Sequence, residues 1–505
     1  MTLSPKDFDD NKNFECDFCV VGSGAGGATV AKELAEAGFS IILVEEGLHY
    51  TPEKISREPG WILSHLLREA GLRTTRGNVF IPTMQAKCLG GTTFVNSAIC
   101  YRTPEYIWHT WKNQFGLEGY EKSSLEESYK KIEAAIYIAP TAFEIQGKKN
   151  LVLKRGLEAL GLQSEPLPRA VKDCDGCSDC FSGCPTGAKQ SMDISYIPRA
   201  MQAGAKVITG CRAEKILTDK KRTRAVGVEC SILVNDEPRY RISISTKKAV
   251  VLAAGVMATP VILLKSGLNT RNGRVGKNLK FHPGIGVVGV FEEEINSWYG
   301  AYQGWGTTEL LNRGIMLETV WAPPAVISVR LPGFGKKFKH SLTKLKHIAL
   351  IAITTLGKNS EGQVIAKNGW DPLLKFHMSE KDIPELQEAA LLSAKIFFAA
   401  GAKEVMTGIY GMPEKFGNAR EAEQLVERQL KPTCFTIVAN HVFGTCAFGE
   451  NPDLCVCHST GEHWDIRDLY VCDSGLMPTP TAVNPQETLM AISDQIARAL
   501  ARRYA

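Results

Sequence analysis

Cys16-Asp-Phe-Cys-Val-Val-Gly22-Ser-Gly24-Ala-Gly-Gly27-Ala-Thr-Val-Ala-Lys-Glu-Leu-Ala-Glu-Ala-Gly38-Phe-Ser-Ile-Ile-Leu-Val-Glu45 alternates between two periodicities. The apolar run ending at Val21 reads as a short buried strand, and from Ala28 to Ala37 Val30, Leu34 and Ala35 recur at helical spacing. Between them Gly22 allows a tight turn, Gly24 lets a backbone approach a pyrophosphate, and Gly27 allows close packing of helix on strand. The helix start adds free amides and a positive dipole end, which suit a phosphate. Gly38 stops the helix. A second strand follows and ends at Glu45, where a carboxylate can accept both hydroxyls of a ribose. The segment predicts an α/β, Rossmann-like dinucleotide-binding unit, and by itself it leaves NAD and FAD both open.

At 505 residues the chain exceeds the length at which one core stops growing, so two or more domains are expected. Its 59 basic and 54 acidic residues are nearly balanced and spread out, which gives no support to nucleic-acid binding. Fifteen cysteines without an export segment point to a reducing compartment, hence a cytoplasmic location. No apolar run reaches the roughly 20 residues of a membrane helix. Residues 331–347 interleave Phe334, Phe338, Leu342 and Leu345 with Lys336, Lys337, Lys339, Lys344 and Lys346. That pattern suits a helix lying on an anionic membrane surface, as a peripheral contact, or an ordinary solvated helix. Strands at 225–234 and 239–246, turning at 235–238, read as a hairpin.

Cys174-Asp-Gly-Cys177-Ser-Asp-Cys180-Phe-Ser-Gly-Cys184-Pro185 has the C-x2-C-x2-C-x3-C-P spacing of bacterial ferredoxins. Cys174, Cys177, Cys180 and Cys184 are therefore candidate ligands of a three-iron or four-iron iron–sulfur cluster. A knot of buried thiols and a structural zinc stay open beside it, although zinc sites usually come as two separated Cys pairs. In two-cluster ferredoxins the cysteine before proline ligates the other cluster, so four ligands to one cluster do not follow from the spacing.

Leu89-Gly90-Gly91-Thr92-Thr93-Phe94-Val95-Asn96 resembles the L-G-G-[ST]-[ST]-x-x-N segment of the GMC (glucose-methanol-choline) flavoprotein oxidoreductases. Asn278-Leu-Lys-Phe-His282-Pro283 resembles that family's N-L-x-x-H-P, His441-Val-Phe-Gly444-Thr445 its H-x-x-G-T, and Leu469-Tyr-Val-Cys-Asp473-Ser-Gly-Leu-Met-Pro478-Thr its L-Y-V-x-D-x-x-x-M-P-T. The resemblance runs from near residue 15 to the C-terminus. It implies FAD, with Gly22, Gly24, Gly27, Glu45, Gly90, Gly91, Asn96, Ala213 and Asp473 near the cofactor. It also implies a discontinuous FAD-binding domain at 14–283 and 434–505, with a Cys-rich insert near 170–190, and an α+β substrate-binding cap at 284–433.

Oxidising an alcohol on a flavin requires the hydroxyl proton to leave as hydride moves, and a neutral imidazole is a natural acceptor. The resemblance puts His441 in that role. A satisfied core histidine is the alternative the residues alone suggest. Asn484 matches the position where the family places a second histidine or an asparagine to orient the alcohol oxygen. It also reads as a purely local helix start, with Asn at the cap, Pro485 after it and an apolar face through Leu489, Ile492, Ile496 and Leu500. His282 reads as a loop or pocket residue. In the cap, Trp298, Tyr299, Tyr302, Trp305 and Trp321 suit either an apolar, ring-shaped alcohol or core packing. The expected activity is FAD-dependent oxidation of an alcohol, with electrons passing through the cluster to a protein or quinone. An oxygen-using alcohol or sterol oxidase with structural cysteines, and a flavin electron-transfer protein without an alcohol substrate, are the competing readings.

Overall fold

Phe18, Cys19, Val20 and Val21 are almost wholly excluded from solvent on both faces of their strand, which is why the stretch is continuously apolar instead of alternating. Burying such side chains contributes roughly 1.5–3 kcal/mol each. In the structure, a computed structural model describing residues 1–120, 122–328, 331 and 333–505, strand Lys12–Val21 lies near the middle of a largely parallel sheet. The order is Thr2–Leu3, Lys206–Thr209, Ile41–Glu45, Lys12–Val21, Glu237–Leu252, Ala225–Val234, Cys211–Thr218. Helix Ala25–Glu36 connects Lys12–Val21 to Ile41–Glu45, the two strands being parallel, so the expected β-α-β unit is present.

Strand Glu237–Leu252 has two uses. Its first half pairs antiparallel with Ala225–Val234 through a turn at Asn235 and Asp236, both with positive φ (52° and 64°), the backbone of a tight hairpin turn. From Ile242 onward it also runs parallel to Lys12–Val21, with a register shift between Thr246 and Ala249, and Val250–Leu252 pair with Leu469–Val471 on the other side. The sequence expectation of a separate short hairpin strand is corrected: one long strand carries both pairings. The C-terminal helix Gln486–Tyr504 packs on helix Ala25–Glu36. Gly26 and Gly27 permit this layer to close, since a Cβ at Gly26 would lie 1.9 Å from the Cys472 carbonyl oxygen.

A second core is built on two further sheets. Five strands run in the order Val442–Phe443, Lys277–Phe281, Glu361–Ile365, Leu373–His377, Thr75–Gly77, and six in the order Glu404–Met406, Gly286–Val290, Ile348–Thr354, Met316–Thr319, Trp305–Thr307, Glu165–Pro166. Helices Gly147–Ala159 and Ile383–Ala399 pack against the six-stranded sheet and against each other, meeting where Gly156 abuts the Ile396 backbone. Segments from the first half of the chain thus supply edge strands at Thr75–Gly77 and Glu165–Pro166.

The lysine-rich stretch forms helix Lys336–Thr343 and a short 3-10 turn; Pro332 lies outside the described residues. Phe338, Leu342 and Leu345 pack inward on Trp321, Ile348 and Leu350, and Lys337, Lys344 and Lys346 pair with Glu414, Glu404 and Glu294. Among the described residues of this stretch, Phe334 is the apolar side chain that projects, 95% exposed. Its apolar side is spent on the protein's own core. Trp305, Trp321 and Tyr302 are likewise buried, whereas Tyr299 is exposed. Among the described residues no helix is long and apolar enough to cross a membrane.

Candidate active site

Gly22 has φ +99°, and a Cβ there would lie 2.3 Å from the Ala253 carbonyl oxygen; one at Gly27 would lie 1.9 Å from the Gly22 oxygen. Both positions accept only glycine because the strand end, the turn and the helix start are in backbone contact. Gly24 is the exception, with nothing within 4 Å of an added Cβ. Opposite it, Gly91 approaches so closely that its Cβ would be 2.9 Å from Gly24 Cα. Two stretches of bare backbone therefore face one space. The Gly90 amide donates to Ser23 Oγ at 2.9 Å, tying the two glycine turns together.

Glu45 ends its strand beside this space, 7% exposed, with Oε2 accepting from the Ser23 amide and hydroxyl and Oε1 from the Gly47 amide at 2.8 Å. Burial raises its carboxyl above the ordinary value. Asp473 is similarly buried and raised, and accepts from Thr259 Oγ1 and from the amides of Gly255 and Gly475. Asn96 accepts from the Ala98 amide and donates to Gln486 Oε1 at 2.6 Å, which links the Gly90–Asn96 turn to the first residue of the C-terminal helix. Ala213 lies buried on strand Cys211–Thr218, opposite Cys230.

His441 precedes strand Val442–Phe443, which pairs antiparallel with Lys277–Phe281 and so brings His282 alongside. The His282 Nδ1 and His441 Nδ1 atoms are 3.1 Å apart with the rings near perpendicular, and the Ala482 amide donates to His282 Nε2 at 3.1 Å. Burial drives His441 down to about 4 and His282 well below its usual value, so both rings are neutral at physiological pH. Two residues beyond Ala482 stands Asn484. It does not cap the C-terminal helix: Pro485 occupies the cap position, no side chain closes it, and Asn484 Oδ1 is buried without a donor. The local helix-start reading is thereby replaced by a side chain that contacts Glu318 and leaves Oδ1 without a donor.

Beside Asn484 lies Glu318, from strand Met316–Thr319. It is 4% exposed, and burial lifts its carboxyl to about 7 against weaker opposing contacts from Asn484 and Gln303. Gln303 Nε2 donates to Glu318 Oε2 at 3.2 Å, and Gln303 Oε1 accepts from Ser97 Oγ next to Asn96; Glu318 Oε1 has no donor. Sequence reasoning passed over both residues. The available signal was the one charged residue in the strand Met-Leu-Glu-Thr.

Among the described residues no group of three or more His, Cys, Asp or Glu side chains is arranged to hold a metal ion. Cys174 lies within electrostatic reach of Cys180 and Cys184, and Cys177 of Cys180, so the four thiols share one neighbourhood without forming such a ligand set. Cys180 Sγ accepts from the Arg169 guanidinium at 3.2 Å and Cys184 Sγ from the Lys189 amide at 3.4 Å, while Cys174 and Cys177 stay partly exposed. Burial pushes the Cys177 thiol up to about 12 and raises that of Cys174. Lys189, missed from sequence, ties this loop to the site: its buried ammonium donates to the carbonyls of Phe94, Asn96 and Cys180.

These residues fit FAD. Bare backbone at Gly24 and Gly91 suits a pyrophosphate, a buried carboxylate with only neutral donors suits a ribose, and an orphaned acceptor on Asn484 suits a group arriving from outside the chain. Models of the GMC oxidoreductase family match residues 63–284 and 359–493. An uncharacterized GMC-type oxidoreductase of Mycobacterium tuberculosis is 32% identical over 95% of this chain and 75% of that protein. A long-chain-alcohol oxidase of Arabidopsis thaliana is 28% identical over 98% of this chain and 68% of that protein. The solved structure of a formate oxidase from Aspergillus oryzae has the same fold, with a TM-score of 0.76 at 15% identity over 98% of this chain and 99% of that one. The chain belongs to the GMC oxidoreductases, FAD-binding enzymes that act on CH–OH donors.

Proposed function

We propose that this chain oxidises the CH–OH group of an apolar alcohol, holding the hydroxyl between His441 and Asn484. When bound, FAD supplies the acceptor for the hydride that leaves the carbon. The observation that carries the reading is the linkage His441–His282–Ala482, which sets a neutral imidazole two residues from a buried, donorless Asn484 Oδ1. Asn96 and Gln486 connect that end to the glycine turns. Two groups are candidates to receive the hydroxyl proton: the half-buried His441, held down near 4, and the buried Glu318, lifted to about 7. An acceptor works only when unprotonated, so the rate rises with pH through the acceptor's own value. A limb near 4 marks His441 and one near 7 marks Glu318.

The likeness to a long-chain-alcohol oxidase supports a primary aliphatic alcohol as substrate, oxygen as acceptor and cysteines that are structural. A second reading routes electrons through an iron–sulfur cluster to a protein or quinone. It draws on charge: the buried Arg169 guanidinium bonds to the Ser97 carbonyl and the Cys180 sulfur and not to a carboxylate, and burial lowers Lys149 to about 7 and also lowers Lys189 beside it, so an anionic cluster would balance the charge of all three. Anaerobic mixing of the flavin-loaded protein with primary aliphatic alcohols, sterols and sugars tests the substrate: bleaching by a long-chain alcohol is expected, and a flavin that no alcohol bleaches defeats the proposal. Iron and acid-labile sulfide analysis separates the two acceptors.

A further inference from the structure

His282 follows strand Lys277–Phe281 and is only 2% exposed. Ala482 holds its backbone at φ +64° and aims its N–H at His282 Nε2, 3.1 Å away. A backbone amide only donates, so that nitrogen presents a lone pair. A neutral imidazole carries one hydrogen, which therefore sits on His282 Nδ1. The same nitrogen faces His441 Nδ1 at 3.1 Å, so the hydrogen lies between the two rings and is donated to His441. The reverse direction would set two hydrogens between the Ala482 nitrogen and His282 Nε2. Protonating either ring fails for the same reason.

We infer that His282 is a positioning residue that fixes His441 as the Nε2–H tautomer, so that the resting enzyme offers the substrate oxygen a donor from His441 and an acceptor from Asn484. This rests on the reading that those two side chains meet the hydroxyl. An alcohol satisfies both at once: its oxygen accepts from Nε2–H and its O–H donates to Asn484 Oδ1, which otherwise stays buried without a donor. The carbonyl product keeps the first bond and has no hydrogen for the second. Leaving a buried acceptor unpaired costs enough to weaken binding by roughly ten-fold or more, so the site releases what it makes. A nitrogen already bearing hydrogen does not receive a proton, and the pH limb is expected near 7, at Glu318, whose neighbours Asn484, Gln303 and Tyr101 carry no charge at that pH.

Histidine tautomers are read directly from the ring nitrogen signals of the holoenzyme labelled with 15N-histidine, with His441→Gln and His282→Gln used for assignment. Wild type is expected to show hydrogen on His441 Nε2 and on His282 Nδ1, unchanged as pH falls toward 4. Hydrogen on His441 Nδ1, or a mixture, overturns the inference. His282→Phe, which keeps bulk and removes the donor, is expected to mix the two His441 tautomers; a His441 that remains purely Nε2–H in that variant shows that His282 does not position it. Should the variant fold poorly, the wild-type spectrum still decides. No alcohol is present in this measurement, so its outcome stands apart from a failure of the proposed substrate. Competition between a long-chain alcohol and its aldehyde for the oxidised enzyme reads the second consequence: equal affinity removes the role given to Asn484.

Discussion

Gly22 and Gly27 act through where their backbones sit, whereas Cys174, Cys177, Cys180 and Cys184 would act through where four sulfur atoms point. The first kind of motif is realised within one turn. Positive φ at Gly22 and the clash that any Cβ would make with Ala253 are properties of the local chain and its two neighbouring strands. The second kind depends on convergence, and convergence is decided by other parts of the molecule. Here Arg169 and the Lys189 amide occupy two of the sulfurs, and the loop's connection to the active site runs through the Lys189 ammonium. Motif density in a sequence is therefore better evidence for backbone-built sites than for ligand-built ones.

The sharpest way to break this contrast is at the glycine turn. Gly22→Ala forces a Cβ to 2.3 Å from a carbonyl oxygen in a left-handed conformation, and is expected to cost on the order of 3 kcal/mol and to abolish FAD retention. Flavin content after purification and thermal unfolding check both; an alanine variant that stays yellow and stable refutes the cradle. At the other end of the site, His441→Ala is expected to lower the rate of flavin reduction by roughly 10²-fold while flavin content holds, measured by anaerobic stopped flow.

Glu318→Gln probes the carboxyl that the sequence did not reveal. Its folded value, about 7, lies above the ordinary 4.5, so the stability it confers is complete below 4.5 and is lost as pH rises toward 7. Relative to the glutamine variant, wild type should lose roughly 3 kcal/mol across that window, seen as a shrinking difference in chemical-denaturation midpoints. A constant difference would show that the carboxyl is not held in its acid form. The smallest effect belongs to the cysteine run: Cys177→Ser, at a partly exposed thiol outside any disulfide, should change stability by less than about 0.5 kcal/mol and leave flavin reduction intact. A large loss there, together with bound iron in the wild type, would reverse the comparison and restore the ferredoxin spacing to its usual meaning.

Much of the nucleotide side was legible before any coordinates, because strand, turn, helix and acid are contiguous from residue 16 to residue 45 and each obeys a short-range rule. His441 and Asn484 were singled out only through likeness to relatives, since a core histidine and a helix-starting asparagine have duller explanations. What separates the readings is three-dimensional: the empty cap at Pro485 and the orphaned Oδ1. Glu318 and Lys189 were not legible. Each draws its significance from neighbours far away in the chain, Asn484 in one case and the Phe94–Asn96 carbonyls in the other. The aromatic residues stayed between two readings for a related reason, because composition reports side-chain size and not direction; Tyr302, Trp305 and Trp321 are buried and Tyr299 is exposed.

The long strand Glu237–Leu252 imposes an order of events on the growing polypeptide. Its inner half is flanked by residues 12–21, made before it, and by residues 469–471, made more than 200 residues after it. Until then a row of unpaired amides and carbonyls stands open beside Val250, Val251 and Leu252, a sticky rim on an otherwise closed nucleotide half. Parallel pairing across such sequence separations is slow to form. Nascent chains of this protein need shielding while residues 253–468 are made, and any shortened form ending before Leu469 keeps that rim for good.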